Sequence, residues 1–487
     1  MERKPSVRKN FLYRTLYEIL VVICPLLTTP HITRTLGADG VGIYSHTSSL
    51  MTYFTLLAAL GTVSYGSREI ARHRDDKKEY SKLFWEIELM TVLSSLIAFL
   101  GWFVVIIVDQ SYRIFYLALT PLLFSTMFDI SWFFTGLEQI RSTVIKNSIV
   151  KLTGVVLIYL LVRKRDDILL YFLINTISMM LGSLSMWLYL PKILVKVDRN
   201  SLNIARHFKQ TIVYFVPTIA TSVYTVLDKT LIHMITGNDS LNGYYEEANK
   251  IVHLIRSVVF TSINHVVGSR ISYLFAKGKT DEIKNRINRS MDYILLLGYG
   301  CTFGLVGVAA NFVPLFLGDN FIASVELIYY MSPLIIIIGI SNCLGNQYYT
   351  PSGRRSDSSK IIITGAVINL IFNCVLIPYL GAKGAIVGSL IAESVITYLY
   401  VRFSSGFMKW KFIWNNSWKR LISGCVMCAA VYFIGSIQVE SRLLMMCIQI
   451  VSGVALYVLL LLLFQDSMLL SLMRVMRSYI LKLRKRI

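Results

Sequence analysis

Charge is what this chain has least of. Among 487 residues only 28 are Asp or Glu, and charged residues of both signs make up 16% against 55% hydrophobic ones. A soluble fold of this length needs far more polar surface, so that class is excluded. The phosphate-cradling G-x-x-x-x-G-K-[ST] run is missing, which removes ATP hydrolysis in its usual form. No His/Cys cluster has metal-ligand spacing and no Ser/His/Asp arrangement stands out. Long polar stretches are missing too, so no soluble domain is expected. The seven cysteines (Cys24, Cys301, Cys343, Cys374, Cys425, Cys428 and Cys447) all fall in apolar runs. Cys425 and Cys428 form a C-x-x-C, but without the basic neighbours a reactive thiol needs, so they read as packing residues. Together these absences point away from an enzyme.

What is present is apolar sequence in span-length blocks. "LMTVLSSLIAFLGWFVVIIV" covers 89–108 and "LLMMCIQIVSGVALYVLLLLLF" covers 443–464. About 20 apolar residues cross a bilayer as a helix, whereas a membrane barrel would show short alternating strands. The reading is an all-α integral membrane protein of about fourteen transmembrane helices, with approximate limits 12–33, 42–66, 86–108, 114–137, 147–162, 168–190, 210–235, 244–267, 291–316, 324–350, 361–379, 384–401, 421–438 and 443–464. "MERKPSVRKN" reads as a first cytoplasmic segment and not as a signal peptide.

Orientation follows from the Lys/Arg bias. With both termini inside, the cytoplasmic connections hold 38 Lys+Arg and the outer ones 8, alternating without a break. The net charge of +21 then reflects loops that face anionic lipid, and no nucleic acid is expected. Three cations are left within spans: Arg14, Lys229 and Arg256. A charge near a helix centre costs about 2.5–3.5 kcal/mol on insertion scales and usually faces a bundle interior or a cavity.

The two halves echo each other. "TRTLGADGVGIYSH" after the first span is matched by "HMITGNDSLNGYYEEA" after the seventh, and "WFFTG" closes the fourth as "QYYTPSG" closes the tenth. Both copies start on the same side, so the repeat is parallel. The expected organisation is an amino-terminal lobe, 1–196, a carboxy-terminal lobe, 197–405, and two extra helices with a basic tail, 406–487. The two six-helix lobes are expected to enclose a central cavity.

Four stretches resemble one known family. "ITRTLGADGVGIYS" (32–45), "FDISWFFTGLEQIR" (128–141), "LDKTLIHMITGNDSLNGYYEEANKI" (227–251) and "NQYYTPSGRRSDSSKIIITGAVINLIFNCVLIPYLGAKGAIVGSLIAE" (346–393) resemble the bacterial polysaccharide flippases of O-antigen and capsule synthesis. That family sits within the multidrug/oligosaccharidyl-lipid/polysaccharide exporter superfamily. The resemblance implies a carrier, not an enzyme, in the bacterial inner or plasma membrane. It would move an undecaprenyl-pyrophosphate-linked oligosaccharide to the outer leaflet by alternating access. No cofactor and no metal are implied, although an H+ or Na+ gradient is a possible driving force. A polysaccharide polymerase and chain-length machinery are the implied partners.

The cargo has a doubly charged pyrophosphate, so cations within the membrane are the candidate contacts. Arg14 stands at i−4 from Glu18 and either pairs with it or snorkels. Lys250, His253 and Arg256 share a helix face at three-residue intervals and read as a cationic track, or as partners of Glu246 and Glu247. Asp228 and Lys229 are adjacent and point apart, and Arg34 is a phosphate contact or a lipid-headgroup turn residue. His31, His46 and His233 are titratable or are packing residues. Glu393 has no neutralising neighbour in sequence and is a coupling candidate. Asp129, nine residues before Glu138, should lie within the cytoplasmic half of the fourth span, with Arg14 as a candidate partner. Trp132 is an interface anchor or a sugar-stacking ring.

Rival readings are a peptidoglycan lipid-precursor flippase, which also handles a pyrophosphate, and a multidrug-type cation antiporter, which should favour buried acids. A membrane glycosyl polymerase or ligase needs a large outer loop, which is missing, and a scaffold has no use for buried charge.

Overall fold

The computed structural model describes residues 7–437, 439 and 441–484, and within the helices the side chains of 7–12, 14, 140–142, 199, 213–214, 216–224, 258, 261–269, 476 and 479–484 lie outside the described set. It is helical, with no strand among the described residues. The order is α1 Val7–Ala59, α2 Thr62–Arg72, α3 Lys77–Val108, α4 Arg113–Met127, α5 Ser131–Gly136, α6 Ile140–Leu161, α7 Ile168–Trp187, α8 Leu190–Ile193 and α9 Ala205–Thr236. It continues with α10 Asp239–Ala276, α11 Thr280–Phe316, α12 Ala323–Met331, α13 Leu334–Leu344, α14 Arg355–Leu380, α15 Ala382–Arg402, α16 Trp410–Gly435, α17 Arg442–Leu463 and α18 Ser467–Arg484.

Among the described residues, eleven helices are long and apolar enough to cross a membrane. The first of them, Thr15–Arg72, holds the segments expected as the first two spans, and α9 and α10 lie at the seventh and eighth positions. Large apolar side chains stand exposed along these helices, among them Leu100, Phe433 and Leu463. In water such surface would be costly, but in a bilayer it meets lipid.

Packing divides the chain into two compact units, Met1–Gly243 and Tyr244–Ile487. This division falls inside α10, well after residue 196, because α9 packs on α1, α2 and α3. In the first unit α1 lies against α3, α4 and α6, and α4 against α7. In the second, α14 pairs with α15, and α11 carries α13, α16 and α17. The two last spanning helices, expected as an appendix, are thus packed on α11.

Several helices are interrupted. α1 bends at Gly37, whose φ of +70° favours glycine. Leu60 and Gly61, both with positive φ, separate α1 from α2. The fourth span breaks at Phe128–Ile130, between α4 and α5. In the second unit, Gly345–Tyr349 forms a π-helical turn after α13. The segments that end "WFFTG" and "QYYTPSG" are therefore both interrupted near their aromatic pairs.

The two echoing glycine motifs meet at a backbone crossing. A Cβ on Gly42 would lie 1.8 Å from the Asp239 carbonyl oxygen, and one on Gly243 would lie 2.1 Å from that of Ala38. Only glycine permits this approach. Beside it Asp39 accepts a hydrogen bond from Ser240 and pairs with Arg165.

Candidate functional site

Asp129 sits in the break of the fourth span, not within a continuous helix. Its Oδ1 accepts from the Ser131 backbone N–H at 2.9 Å, so the carboxylate caps the restart of the chain as α5. Trp187 donates its indole N–H to the Phe128 carbonyl at 2.9 Å, satisfying one group that the break frees. The proposed partner Arg14 has its side chain outside the described residues, so the Arg14–Glu18 and Arg14–Asp129 pairs do too. Glu18 itself is half-buried on α1.

Trp132 is neither an interface anchor nor an open stacking surface. It is 1% exposed, its ring lies 5.7 Å from Phe84, and a Cβ on Gly66 would come within 2.5 Å of it. It belongs to a core with Tyr65, Ile70, Tyr80, Phe84 and Phe133. Its place in this core is a correction to both readings.

The remaining candidates take varied positions. Arg34 stands exposed one turn before Gly37. On α9, Asp228 is buried and Lys229 half-buried. Asp228 lies within electrostatic range of Tyr53, whose hydroxyl meets Thr230 Oγ1 at 3.1 Å. On α10, Lys250 pairs with Glu247 at 2.7 Å and Glu246 at 3.5 Å, the alternative to a cationic track. His253 is exposed and Arg256 half-buried on the same helix. Arg256 lies 17 residues after Asp239 and 20 before Ala276, so it stands near the middle of a long helix, about 26 Å from its start. Glu393 is buried on α15. His31 has a packing role, its Nε2 at 2.7 Å from the Val162 carbonyl and its ring stacked on Tyr159.

Three charged clusters were not foreseen. His46 and His233 stack at 3.7 Å, Asp239 comes within 2.9 Å of His233 Nδ1, and the Tyr112 hydroxyl donates to Asp239 at 2.8 Å. Glu86 accepts from the Asn203 backbone N–H at 2.7 Å, pairs with Arg206, and meets His207 Nε2 at 2.8 Å. The other face of His207 meets the Tyr65 hydroxyl at 2.6 Å. Arg420, counted from sequence as a loop cation, is fully buried between Asp292 at 2.6 Å and Asp466 at 3.0 Å. Apart from His233 and Asp239, six positions apart, these partners lie 46 to 187 positions apart in the chain, so no local spacing announces them.

The arrangement can hold charge inside a helical membrane body. No group of three or more His, Cys, Asp or Glu fit to hold a metal occurs among the described residues.

Comparison with known proteins places this architecture. The chain is 22% identical over 405 residues to a protein of Escherichia coli (strain K12) named "Putative O-antigen transporter", covering 82% of this chain and 97% of that one. A Shigella dysenteriae protein of the same name is 25% identical over 400 residues, covering 81% and 99%. Among solved structures, the lipid II flippase MurJ in an inward closed conformation superposes with a TM-score of 0.70 at 15% identity, covering 94% of this chain and 99% of that one; at this identity the likeness concerns the fold. Residues 7–273 match the family described as "Polysaccharide biosynthesis protein", more than half of the chain, and the chain belongs to that family.

Proposed function

We propose that this protein is a carrier for lipid-linked glycans. It moves an undecaprenyl-pyrophosphate-linked oligosaccharide from the cytoplasmic to the outer leaflet of a bacterial plasma membrane by alternating access, for surface-polysaccharide synthesis. The observation that carries the reading is the likeness, over 81–82% of this chain and 97–99% of theirs, to two proteins named "Putative O-antigen transporter". Transport, and no catalysis, is what such relatives are named for. Half-buried Lys229 and Arg256 suit the pyrophosphate, because a guanidinium matches phosphate oxygens with paired hydrogen bonds. Lys250, held by two glutamates, has the lesser part. The Lys/Arg bias supports a cytoplasmic side for both termini. A polymerase and chain-length machinery would receive the product.

The test is translocation of a lipid-linked oligosaccharide in inverted membrane vesicles, comparing parent and Arg256→Ala at matched protein level. One charge-assisted hydrogen bond is worth about 1.5–3 kcal/mol, so the variant should lose roughly tenfold to a hundredfold. Unchanged transport in the variant would remove Arg256 from the substrate path. A parent that moves no lipid-linked glycan would overturn the proposal.

A further inference from the structure

One pair of carboxylates in the first unit has no place in that reading. Glu88 lies eleven residues past the start of α3, about 16 Å along the helix. It is 2% exposed, and neither carboxylate oxygen has a hydrogen-bond partner among the described residues. Its neighbour Glu86 is fully served by Asn203, Arg206 and His207, so the contrast is local. A buried charge left in this state is expensive and calls for a neutralising species.

Packing brings Asp129 to it. α3 and the α4–α5 segment run antiparallel. Phe84 lies 5.7 Å from Trp132 and 4.9 Å from Phe133. One turn further along α3, Glu88 reaches the level of the break three residues before Trp132. The two carboxylates lie within electrostatic range of each other. Tyr17 of α1, whose hydroxyl bonds Asn147, is a further titratable group in range of Asp129. No described cation is among the groups acting on either carboxylate.

We propose that Glu88 and Asp129 form a proton-binding site that couples proton movement to transport. The pair takes one proton from hydronium, breaking an O–H bond there and forming one on either carboxyl, and returns the proton to water when that bond breaks. Uptake changes the pair from two negative charges to one. Two like charges within electrostatic range of each other, one of them buried, favour binding one proton between them. A hard metal cation takes about six oxygen ligands or more, and two carboxylates supply too few. The break at Phe128–Ile130 makes the site a candidate switch, since Asp129 also caps the restart of α5 through Ser131. The coupling part of this inference rests on the carrier reading above, and the site itself does not.

Infrared difference spectroscopy of the purified full chain in nanodiscs, stepped in pH, reads the site without any substrate. The expected result is a protonated-carboxyl band that titrates in the parent, is lost in Glu88→Gln and Asp129→Asn, and is indifferent to sodium. A parent without such a band, or a thermal shift by sodium over choline that Glu88→Gln abolishes, overturns the proton site. Vesicle transport then tests coupling. The parent rate should respond to pH, by up to about tenfold per unit, and Glu88→Gln should flatten that response. A titrating band with identical pH profiles in parent and variant overturns coupling but leaves the carrier intact. A parent that moves no glycan sinks the carrier reading, and the band still decides the site.

Discussion

The imidazole rings of His46 and His233 stack with centroids 3.7 Å apart, and Tyr112 closes the cluster by donating to Asp239 at 2.8 Å. Burial first, and then the hydrogen bond to Asp239, push the Tyr112 hydroxyl well above its usual range. The folded state therefore holds this proton more tightly than the unfolded one. The resulting stability is fully present below about pH 10, the unfolded value, and is lost as pH rises above it toward the folded value. Tyr112→Phe should cost about 1.5–3 kcal/mol near neutrality and remove that part of the alkaline loss. Thermal unfolding across alkaline pH in detergent checks both signs.

Gly42→Ala and Gly243→Ala should each prevent normal assembly. A methyl group at either place would stand about 2 Å from a carbonyl oxygen, and backbone cannot yield as a side chain can. Gly37→Ala meets no atom within 4 Å but keeps a positive φ, so its cost should be only about 1–2 kcal/mol. Size-exclusion profiles and melting temperatures of the three variants should separate into two severe cases and one mild one.

Trp132→Ala should destabilise the protein by about 3–5 kcal/mol, because the ring fills the space between Phe84 and Gly66. Trp132→Phe should recover most of this. If Trp132 is a packing residue only, transport per folded molecule stays the same in both variants. A transport defect in a fully stable Trp132→Phe would return the ring to the substrate path.

Arg420→Met should leave Asp466 and Asp292 without their shared cation. Removing one member of a buried ionic group costs about 3–5 kcal/mol. Asp466→Asn with Arg420→Met should be milder than the single change, since no buried charge is then stranded at that position. Asp466 also accepts from the Met468 and Leu469 backbone N–H groups at 3.1 and 3.0 Å, so the start of α18 should fray in the variant. Hydrogen exchange over 467–472 measures that directly.

Helical class and family were legible because apolar runs and turn motifs are local signals. Asp228 and Glu393, singled out within spans, are buried, but the rest of the buried charge was not legible. Arg420 follows "NNSWK" and reads as loop sequence, yet α16 starts ten residues earlier, at Trp410, and carries it inside. Glu88 closes "FWEIE" (84–88) at the mouth of a span, and nothing local distinguishes it from the paired Glu86. The break at Phe128–Ile130 contains neither proline nor glycine. It is set by Asp129 and Trp187, two groups 58 positions apart, and it decides the fate of Trp132. Lys250 fell to local pairing because Glu246 and Glu247 sit one turn before it, a signal that was available.

The glycine crossing has a reciprocal geometry. Gly42 meets the residue four before Gly243, and Gly243 meets the residue four before Gly42. Between two separate copies of one chain this would be an isologous contact about a two-fold axis. The equivalent residues nearest such an axis are Asp39 and Ser240, which touch. In identical subunits they would be the same residue, and two aspartates would repel there. Covalent fusion removes that constraint. One copy keeps the acid for Arg165 while the other supplies a hydroxyl donor, and four residues past each glycine the chain is free to place His46 on one side and Glu247 on the other.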